Sequence, residues 1–340
     1  MTKTRPTQTR RTLAGLLAAG LLLTTAACAE GEASADGDGR TLAIDYATYN
    51  PLSLVVKDQG WLEGALADED VEVTWVKSDG SNKANEALRA NAIDVGSTAG
   101  SAALLARANG SPIRTIDIYS QPEWAAIVVG EDSKVTDVAD LAGKQVAATK
   151  GTDPYFFLLQ SLAAEGIDPD EVTVQNLQHA DGWSALANGS VDAWAGLDPI
   201  MAAAEQEGAK LVYRNIDFNT YGFLNATEEF LDEEPELAQL VVDAYAKARD
   251  WLQENPDEAV AILAEAAAID EAVAQTVLTE RTNLDFDHVP GQAQLDVLTT
   301  VGPLFVESGD VEDQSQIDAA LEELLTDEYA AKADASRVAD

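Results

Sequence analysis

Apolar and polar residues alternate along most of the chain with the two periods that are typical of strands and helices. After residue 40, short apolar runs are followed by longer segments whose apolar residues recur every three or four positions. These patterns predict strands at 41–48, 71–76, 93–97 and 113–119, and helices at 50–59, 82–90 and 99–108. The alternation of strand and helix is typical of an α/β unit with a mostly parallel sheet.

The same alternation resumes after Pro122 and predicts a second unit. Its strands are predicted at 124–129, 144–149, 191–195 and 210–213, and its helices at 135–142, from residue 153 and at 183–187. Around residues 219–224 we expect the chain to return to the first unit. The sequence therefore predicts lobe I from residues 41–121 and 222–330 and lobe II from residues 122–221, joined as a hinged clamp that closes over a cleft.

The chain from Pro235 onward shows apolar residues at helical spacing almost throughout. Helices are predicted at 235–254, 256–267, 271–281, 292–307 and 315–325. These helices are expected to brace the lobes, with their acidic outer faces in solvent. The predicted fold class is therefore α/β, with mixed sheets flanked by helices and extra C-terminal helices.

The first 27 residues follow a different pattern. Four basic residues precede an apolar run at 13–23, and small residues at 24–27 lead to Cys28, the one cysteine of the chain. This order predicts a signal peptide over residues 1–27, whose apolar run is too short to span a bilayer.

Residues around Cys28 carry a further signal. The sequence Ala-Ala-Cys at 26–28 resembles a bacterial lipobox, which implies a lipid on Cys28 and a location at the outer face of the cell membrane or in the periplasm. Residues 28–40 are small, polar and charged, and they are typical of a flexible tether. Thr9-Arg10-Arg11 loosely resembles a twin-arginine export signal.

The formal net charge of −39 is spread along the chain rather than gathered in an acidic tail. Such a surface repels nucleic acid and anionic membrane faces, so we expect neither as a partner apart from the lipid anchor. The hydrophobic fraction of 46% is that of a folded protein.

The stretch 189–200 predicts a strand that feeds directly into the N-terminus of a helix. Val191 to Ala195 form the apolar run, and Asp198 with Pro199 has the pattern of an N-cap followed by the first helical residue. Ligands in open α/β sheets bind beyond the carboxyl ends of strands, so Trp194 and Asp198 are candidates for a cleft. The alternative is that Trp194 packs in the core and Asp198 serves only as a cap.

Four motifs follow one another along the chain. They are Ile-Asp-Val-Gly-Ser-Thr at 93–98, Val-Ala-Asp-Leu-Ala-Gly-Lys-Gln-Val-Ala at 138–147, Lys-Gly-Thr-Asp at 150–153 and Gly-Ser-Val-Asp-Ala-Trp at 189–194. Together they resemble the substrate-binding lipoproteins of ABC importers, in the branch that binds aliphatic sulfonates, taurine and nitrate-like anions. The resemblance covers about residues 41–325 and implies the two-lobed type II periplasmic-binding-protein clamp.

The resemblance also implies a function. A lipid-anchored monomer would capture a small sulfonate by lobe closure and deliver it to permease subunits that work with a cytoplasmic ATPase. It implies no catalysis, no cofactor and no metal. The ligand contacts that it implies are Tyr49, Asn50, Thr98, Ser101, Gln121, Trp124, Gly151, Thr152, Asp153, Trp194 and Asp198. The chain departs from many sulfonate binders at Ala99-Gly100-Ser101, where those proteins carry Asp-Ala-Pro.

Anions bind well at helix N-termini, because free N–H groups and aligned peptide dipoles supply positive potential. We expect a sulfonate at the helix starts near Asn50 and at 98–101, with hydroxyls of Thr98 and Ser101 donating or capping the helix. Asp153 and Asp198 are expected to cap the helices of lobe II. If they also face the cleft, they fit a ligand whose other end is cationic, such as taurine.

Aromatic residues and histidines leave alternatives open. Trp124 and Trp194 either wall the alkyl spacer of the ligand or pack in the core. His179 and His288 have no second ligand at metal-binding spacing, and both are expected to be solvated or capping residues. The Gly-x-Ser-x-Gly and P-loop patterns of common enzymes are absent from the sequence. A binder of a thiamine-precursor pyrimidine or a nitrate-like anion, and a structural lipoprotein with an empty clamp, are the competing hypotheses.

Overall fold

The computed structural model describes residues 40–339. The predicted signal peptide, the predicted lipid site at Cys28 and nearly all of the predicted tether lie outside the described residues. Within residues 40–339 the strands form a six-stranded and a five-stranded sheet. The strands are β1 (Arg40–Tyr46), β2 (Val71–Lys77), β3 (Val95–Ala99), β4 (Ile113–Pro122), β5 (Ala125–Val129), β6 (Gln145–Ala148), β7 (Thr173–Asn176), β8 (Ala193–Leu197), β9 (Lys210–Tyr213), β10 (Gly222–Thr227) and β11 (Thr282–Asn283).

The first sheet has the strand order β11-β4-β10-β3-β1-β2. β1 pairs in parallel with β2 and β3, as the alternation of strand and helix predicts. β10 enters between β3 and β4 and runs antiparallel to both, because it returns from the other sheet. The short strand β11 extends the edge by pairing with the end of β4. The sheet is therefore more mixed than the mostly parallel sheet expected for this unit.

The second sheet has the order β7-β6-β8-β5-β9 and contains the strands between β4 and β10. β6 pairs in parallel with β7 and β8, whereas β5 is antiparallel to β8 and β9. The chain thus passes between the two sheets twice, from β4 to β5 and from β9 to β10.

Helices flank both sheets, and the C-terminal third is mainly helical, in agreement with the predicted fold class. The helices are α1 (Pro51–Gln59), α2 (Trp61–Leu66), α3 (Ser81–Arg89), α4 (Gly100–Ala108), α5 (Asp153–Ala164), α6 (His179–Ala187), α7 (Ile200–Gln206), α8 (Glu228–Glu233), α9 (Pro235–Glu254), α10 (Pro256–Ala267), α11 (Glu271–Glu280), α12 (Gln292–Glu307) and α13 (Gln314–Glu323). None of the described helices is both long and apolar enough to cross a bilayer.

Two predicted elements differ from the structure in ways that affect the site. β8 covers 193–197 instead of 191–195, so Asp198 follows the strand directly. α6 begins at His179, four residues before the predicted start at Trp183. Elsewhere, the helix predicted at 135–142 is only a short 3-10 turn at Val138–Leu141.

Candidate functional site

Four segments that are far apart in the sequence meet where the chain passes between the sheets. Ser101 lies in the first turn of α4, and Asp153 is the first residue of α5. Trp124 lies between β4 and β5, and Thr220 lies between β9 and β10. All four side chains are buried. We call Ser101, Trp124 and Thr220 the donor cradle, because each of them donates to Asp153.

Four hydrogen bonds from the donor cradle hold the carboxylate of Asp153. Its Oδ1 accepts from Ser101 Oγ at 2.6 Å and from Thr220 Oγ1 at 2.7 Å. Its Oδ2 accepts from Trp124 Nε1 at 2.7 Å and from the backbone N of Thr220 at 2.8 Å. Burial raises the pKa of Asp153, and these hydrogen bonds act in the opposite direction. The cradle is thus a buried anion site made of neutral donors, and a carboxylate of the same chain fills it.

The prediction that Asp153 caps its own helix is wrong. The N-cap of α5 is Thr152, and this helix start has no side-chain capping bond. The Thr152 hydroxyl donates to the carbonyl of Thr149 at 2.6 Å instead. Asp153 turns away from the helix because the donors that satisfy its carboxylate come from three other segments.

Asp198 is paired with an arginine that the sequence analysis did not single out. Arg281, the residue after α11, places Nη1 3.1 Å and 3.3 Å from the two carboxylate oxygens of Asp198, and its Nη2 binds Glu205. Asp198 Oδ1 also accepts from the backbone N of Ala202 at 2.9 Å. The prediction that Asp198 is the N-cap is wrong by one residue, because Pro199 is the N-cap of α7, although the Asp198 carboxylate still accepts from an N–H group in the first turn. Burial raises the pKa of Asp198 to about 6, against the charge of Arg281, which lowers it.

A narrow cavity of about 10 Å³, room for about one water molecule, lies between the start of α1 and the Asp198–Arg281 pair. Its lining includes the rings of Tyr49 and Trp124, which meet edge to face with centroids 6.1 Å apart. Pro51, the first residue of α1, also lines it. This cavity, lined by two aromatic rings and an arginine, borders the donor cradle through Trp124.

Tyr49 and Asn50 are held by Ser97, the middle residue of β3. The Tyr49 hydroxyl donates to the carbonyl of Ser97 at 3.0 Å, and Asn50 Nδ2 donates to Ser97 Oγ at 2.7 Å. Asn50 Oδ1 accepts from the backbone N of Ser53, which confirms the predicted cap of α1. Ser97 in turn donates from N and Oγ to Asp45 Oδ1, at 2.9 Å and 2.8 Å. Burial raises the pKa of Asp45 to about 6, against these hydrogen bonds.

Thr98 does not point toward the cradle. Its hydroxyl donates to the carbonyl of Ala99 at 2.9 Å and accepts from Asn225 Nδ2 at 2.8 Å, because β10 lies beside β3 in the first sheet. The N-cap of α4 is Ala99, without a side-chain capping bond, so neither Thr98 nor Ser101 caps that helix.

Gln121 and Gly151 lie at the margins of the site. Gln121 donates to the Tyr221 hydroxyl at 3.2 Å and accepts from Asn283 Nδ2 at 2.9 Å, so its amide is engaged beside the second passage. Gly151 has a φ of 76°, a left-handed conformation that favours glycine. A methyl group at this position would lie 3.8 Å from Asn82 Cβ, which places the first turn of α3 next to the loop before α5.

The structure favours the core alternative for Trp194. Its side chain is fully buried in an apolar cluster that includes Val128, Leu186 and Met201. Its ring lies 6.3 Å from that of Trp183, and its Nε1 finds no partner among the described residues.

The expectation that both histidines are solvated or capping residues is wrong for His179, whereas the side chain of His288 is 26% exposed. His179 is 2% exposed at the first position of α6, and burial lowers its pKa to about 4. His288 Nδ1 lies 2.7 Å from Oδ1 of the buried Asp117, which also pairs with Arg249. The described residues contain no group of three acidic, histidine or cysteine side chains that could hold a metal ion.

Sequence reasoning missed three residues of this region: Thr220, Arg281 and His179. Thr220 lies in the return passage that the pattern predicts near 219–224, but a lone threonine carries no motif. Arg281 stands out only because basic residues are few, 21 against 60 acidic ones, and it ends a predicted helix. His179 was hidden because α6 begins four residues earlier than the apolar pattern suggests.

Comparison with known proteins relates the whole arrangement to binding proteins. A Bacillus subtilis (strain 168) protein named as an aliphatic sulfonates-binding protein is 30% identical over 81% of this chain and 86% of its own length. A protein of the same name from Escherichia coli (strain K12) is 27% identical over 80% of this chain and 84% of its own length.

Solved structures agree with these relatives. The alkanesulfonate-binding protein SsuA from Xanthomonas axonopodis pv. citri, bound to MOPS, is 25% identical and superposes with a TM-score of 0.74 over 82% of this chain and 97% of that one. The chain has the periplasmic-binding-protein fold. The profile of the family described as NMT1/THI5 like matches residues 53–259. The protein is a member of the NMT1/THI5-like family.

Proposed function

We propose that this protein is the extracytoplasmic solute-binding component of an ABC importer and that it captures a small aliphatic sulfonate. The observation that carries the proposal is the donor cradle, in which four neutral donors converge on a buried anion. The names of the relatives from Bacillus subtilis and Escherichia coli support the same ligand class.

A sulfonate suits these donors because it is anionic at all ordinary pH values and has three acceptor oxygens. Hydroxyl, indole and backbone donors bind such a group without the cost of desolvating a lysine. Asp153 stands where we expect the sulfonate to bind. Opening would carry Asp153 away with α5 and leave Ser101 and Thr220 with the first sheet, exposing the cradle to the ligand.

Closure over a sulfonate then brings the carboxylate of Asp153 next to a second anion. Two unit charges about 4 Å apart repel by about 4 kcal/mol at an effective dielectric constant of about 20. A ligand with an ammonium group offsets this repulsion, whereas an alkanesulfonate does not. An aminosulfonate of the taurine type is therefore the proposed ligand, with its short spacer against the rings of Tyr49 and Trp124.

The proposal extends to location and partners. A lipid on Cys28 would hold a monomer at the outer face of the membrane, where it delivers its ligand to permease subunits. We propose no catalysis and no cofactor, since the site binds an anion with neutral donors and presents no activated nucleophile.

The test is a thermal-shift and calorimetry panel on the chain from residue 29, using taurine, ethanesulfonate, nitrate and a thiamine-precursor pyrimidine. A ligand that binds only the folded protein raises the melting temperature by mass action. We expect the largest shift with taurine and a smaller one with ethanesulfonate. A response to the pyrimidine or to nitrate, without one to either sulfonate, would overturn the proposed ligand class.

A further inference from the structure

Residues 281–288 follow α11 and run beside the two passages between the sheets, and we call them the strap. The strap begins at Arg281, continues as β11 and ends at His288, before α12. β11 pairs antiparallel with the last two residues of β4. The strap is therefore attached to the first sheet at the point where the first passage, from β4 to β5, begins.

Arg281 fixes the backbone on both sides of Trp124. The carbonyl of Arg281 accepts from the backbone N of Glu123 at 2.8 Å, one residue before Trp124. The carbonyl of Trp124 accepts from the backbone N of Asp198 at 3.0 Å. The carboxylate of Asp198 in turn lies 3.1 Å from Nη1 of Arg281. The contacts before and after Trp124 thus lead to the same arginine.

The strap holds the second passage through an aromatic and an amide contact. The ring of Phe286 packs against that of Tyr221, the residue after Thr220, with centroids 5.9 Å apart. The Tyr221 hydroxyl accepts from Gln121 Nε2 at 3.2 Å, and Gln121 Oε1 accepts from Asn283 Nδ2 at 2.9 Å. The strap therefore contacts the neighbours of both donors that the passages contribute to the cradle.

The two ends of the strap are attached to different parts of the fold. At the far end, the carbonyl of His288 accepts from the backbone N of Ile118 at 3.1 Å, and Nδ1 lies 2.7 Å from Oδ1 of Asp117, which is buried in β4. At the near end, Nη2 of Arg281 binds Glu205 of α7, the helix that follows β8. The strap thus connects the first sheet with a helix that belongs to the second.

The donors of the cradle differ in how much support they receive from regular structure. Ser101 lies in the first turn of α4, whose hydrogen bonds fix its backbone. Trp124 and Thr220 lie between strands, in segments that are neither strand nor helix. Their backbones depend on contacts with other segments, and those contacts include the ones that the strap supplies.

We propose that the strap positions the donor cradle, by fixing the two passages so that Trp124 and Thr220 direct their donors to one point. The inference rests on the proposed function, since it assigns the segment that holds the donors for the same sulfonate. Binding groups have to be held within about 0.5 Å of their working geometry by the residues around them. Arg281 and Phe286 are therefore positioning residues, which affect ligand affinity through the cradle.

The experiment records ¹H–¹⁵N spectra of the protein labelled with ¹⁵N. The reporters are the indole N–H of Trp124 and the backbone N–H of Thr220, which both donate to Oδ2 of Asp153. The indole N–H of Trp194, which has no partner among the described residues, is the reference. Substitution of each residue identifies its resonance. Calorimetry with ethanesulfonate and taurine gives the affinities of the same samples.

Two variants of Phe286, which is half-buried, form a matched pair. Phe286→Ala removes the ring that packs against Tyr221, whereas Phe286→Tyr keeps a ring there. In the Ala variant we expect both reporter resonances to move and the affinity for either sulfonate to fall about tenfold, the equivalent of one hydrogen bond. The Tyr variant should keep the resonances and the affinities of wild type.

A second pair acts at the far end of the strap. His288→Ala removes the donor to Asp117, whereas His288→Asn places an amide N–H near the position of Nδ1. We expect the Ala variant to move the reporters and the Asn variant to leave them in place. Phe230→Ala in α8, outside the strap, removes a buried ring of the same size and controls for a general loss of stability.

The outcomes separate the inference from the proposed function. Reporter resonances that stay in place in Phe286→Ala, or that move equally in Phe230→Ala, would overturn the inference. So would an unchanged sulfonate affinity in Phe286→Ala although the reporters move. The proposed function survives all three results. An absence of saturable binding of either sulfonate to wild type would overturn the proposed function, and with it the role of the strap in ligand binding.

Discussion

The indole Nε1 of Trp124 donates a 2.7 Å hydrogen bond to Oδ2 of Asp153, and this bond joins the first passage between the sheets to the start of α5. The donors of other segments thus surround the Asp153 carboxylate in the way that they would surround a bound anion. Under the proposed function this carboxylate competes with the ligand for the donor cradle, and its replacement tests ligand choice.

Asp153→Asn should fold normally. Its amide oxygen can accept from the two fixed N–H donors, Trp124 Nε1 and the backbone N of Thr220, while its NH₂ donates to hydroxyls that rotate. Because the negative charge is gone, we expect ethanesulfonate to bind more tightly than in wild type and taurine less tightly. Isothermal titration calorimetry with both ligands measures this reversal. Unchanged affinities for both would remove Asp153 from the account of ligand choice.

Asp153→Ala should behave differently from the Asn variant. It leaves two buried N–H donors without an acceptor, at a cost of about 1–3 kcal/mol for each unsatisfied group. We expect a lower free energy of unfolding in urea without ligand, and a partial recovery when a saturating sulfonate supplies acceptor oxygens. Equal stability of the Ala and Asn variants would show that the cradle does not need an acceptor.

Trp124→Phe and Trp194→Phe make the same chemical change at two buried tryptophans. Trp124 donates to Asp153 and lines the narrow cavity, whereas Trp194 Nε1 has no partner among residues 40–339 and its ring lies in a core cluster. Sulfonate affinity should fall about tenfold or more in Trp124→Phe and stay within about twofold of wild type in Trp194→Phe. Calorimetry on the two variants measures the difference. A larger loss of sulfonate affinity in Trp194→Phe than in Trp124→Phe would show that Trp194, and not Trp124, contacts the ligand.

Arg281→Gln should destabilise the protein strongly. It leaves Asp198, 3% exposed, without its 3.1 Å partner, and breaking a buried pair in this way costs about 3–5 kcal/mol. Asp198→Asn in the same chain removes the uncompensated charge and should recover much of the loss. Urea unfolding of the two single variants and the double variant gives the coupling energy. A coupling energy near zero would contradict the pairing.

Asp45 makes the free energy of unfolding depend on pH, and its raised pKa determines the sign of that dependence. Its pKa is about 6 in the folded protein and 3.8 as the ordinary value, so the folded state holds the proton more tightly. Asp45 therefore contributes about 3 kcal/mol to the free energy of unfolding. This contribution is fully present below about pH 4 and is lost as the pH rises to about 6.

Asp45→Asn keeps an acceptor for Ser97 but does not titrate. The stability of this variant relative to wild type should therefore rise as the pH increases from about 4 to about 6, and then level off. Urea unfolding at several pH values gives this difference, from which groups common to both chains cancel. A difference that is constant across the range would show that Asp45 has an ordinary pKa.

Much of the fold could be predicted because its signals are local. Alternating apolar runs gave the order of strands and helices, and Asn50-Pro51 marked the start of α1 through a cap and a fixed backbone angle. The antiparallel insertion of β10 between β3 and β4 has no such signal, because it depends on which strand edge is free when the chain returns.

The site was harder to predict because its contacts are between distant segments. The sequence identified Ser101, Trp124 and Asp153 through resemblance, yet Asp153 was expected to cap its own helix. Only the folded chain brings Thr220 to its carboxylate, across 67 positions of sequence. The pairing of Arg281 with Asp198 could not be predicted either, because 83 positions of sequence separate the two residues.

The residues of the donor cradle are far apart in the sequence, and this separation determines when the cradle forms during folding. Ser101, Trp124, Asp153 and Thr220 meet only after the chain has made both passages between its sheets, and contacts between such distant positions form late in folding. A partly folded chain therefore lacks the donor cradle. If the cradle binds a ligand as proposed, that ligand protects finished molecules from proteases and gives no such protection to chains that are still folding.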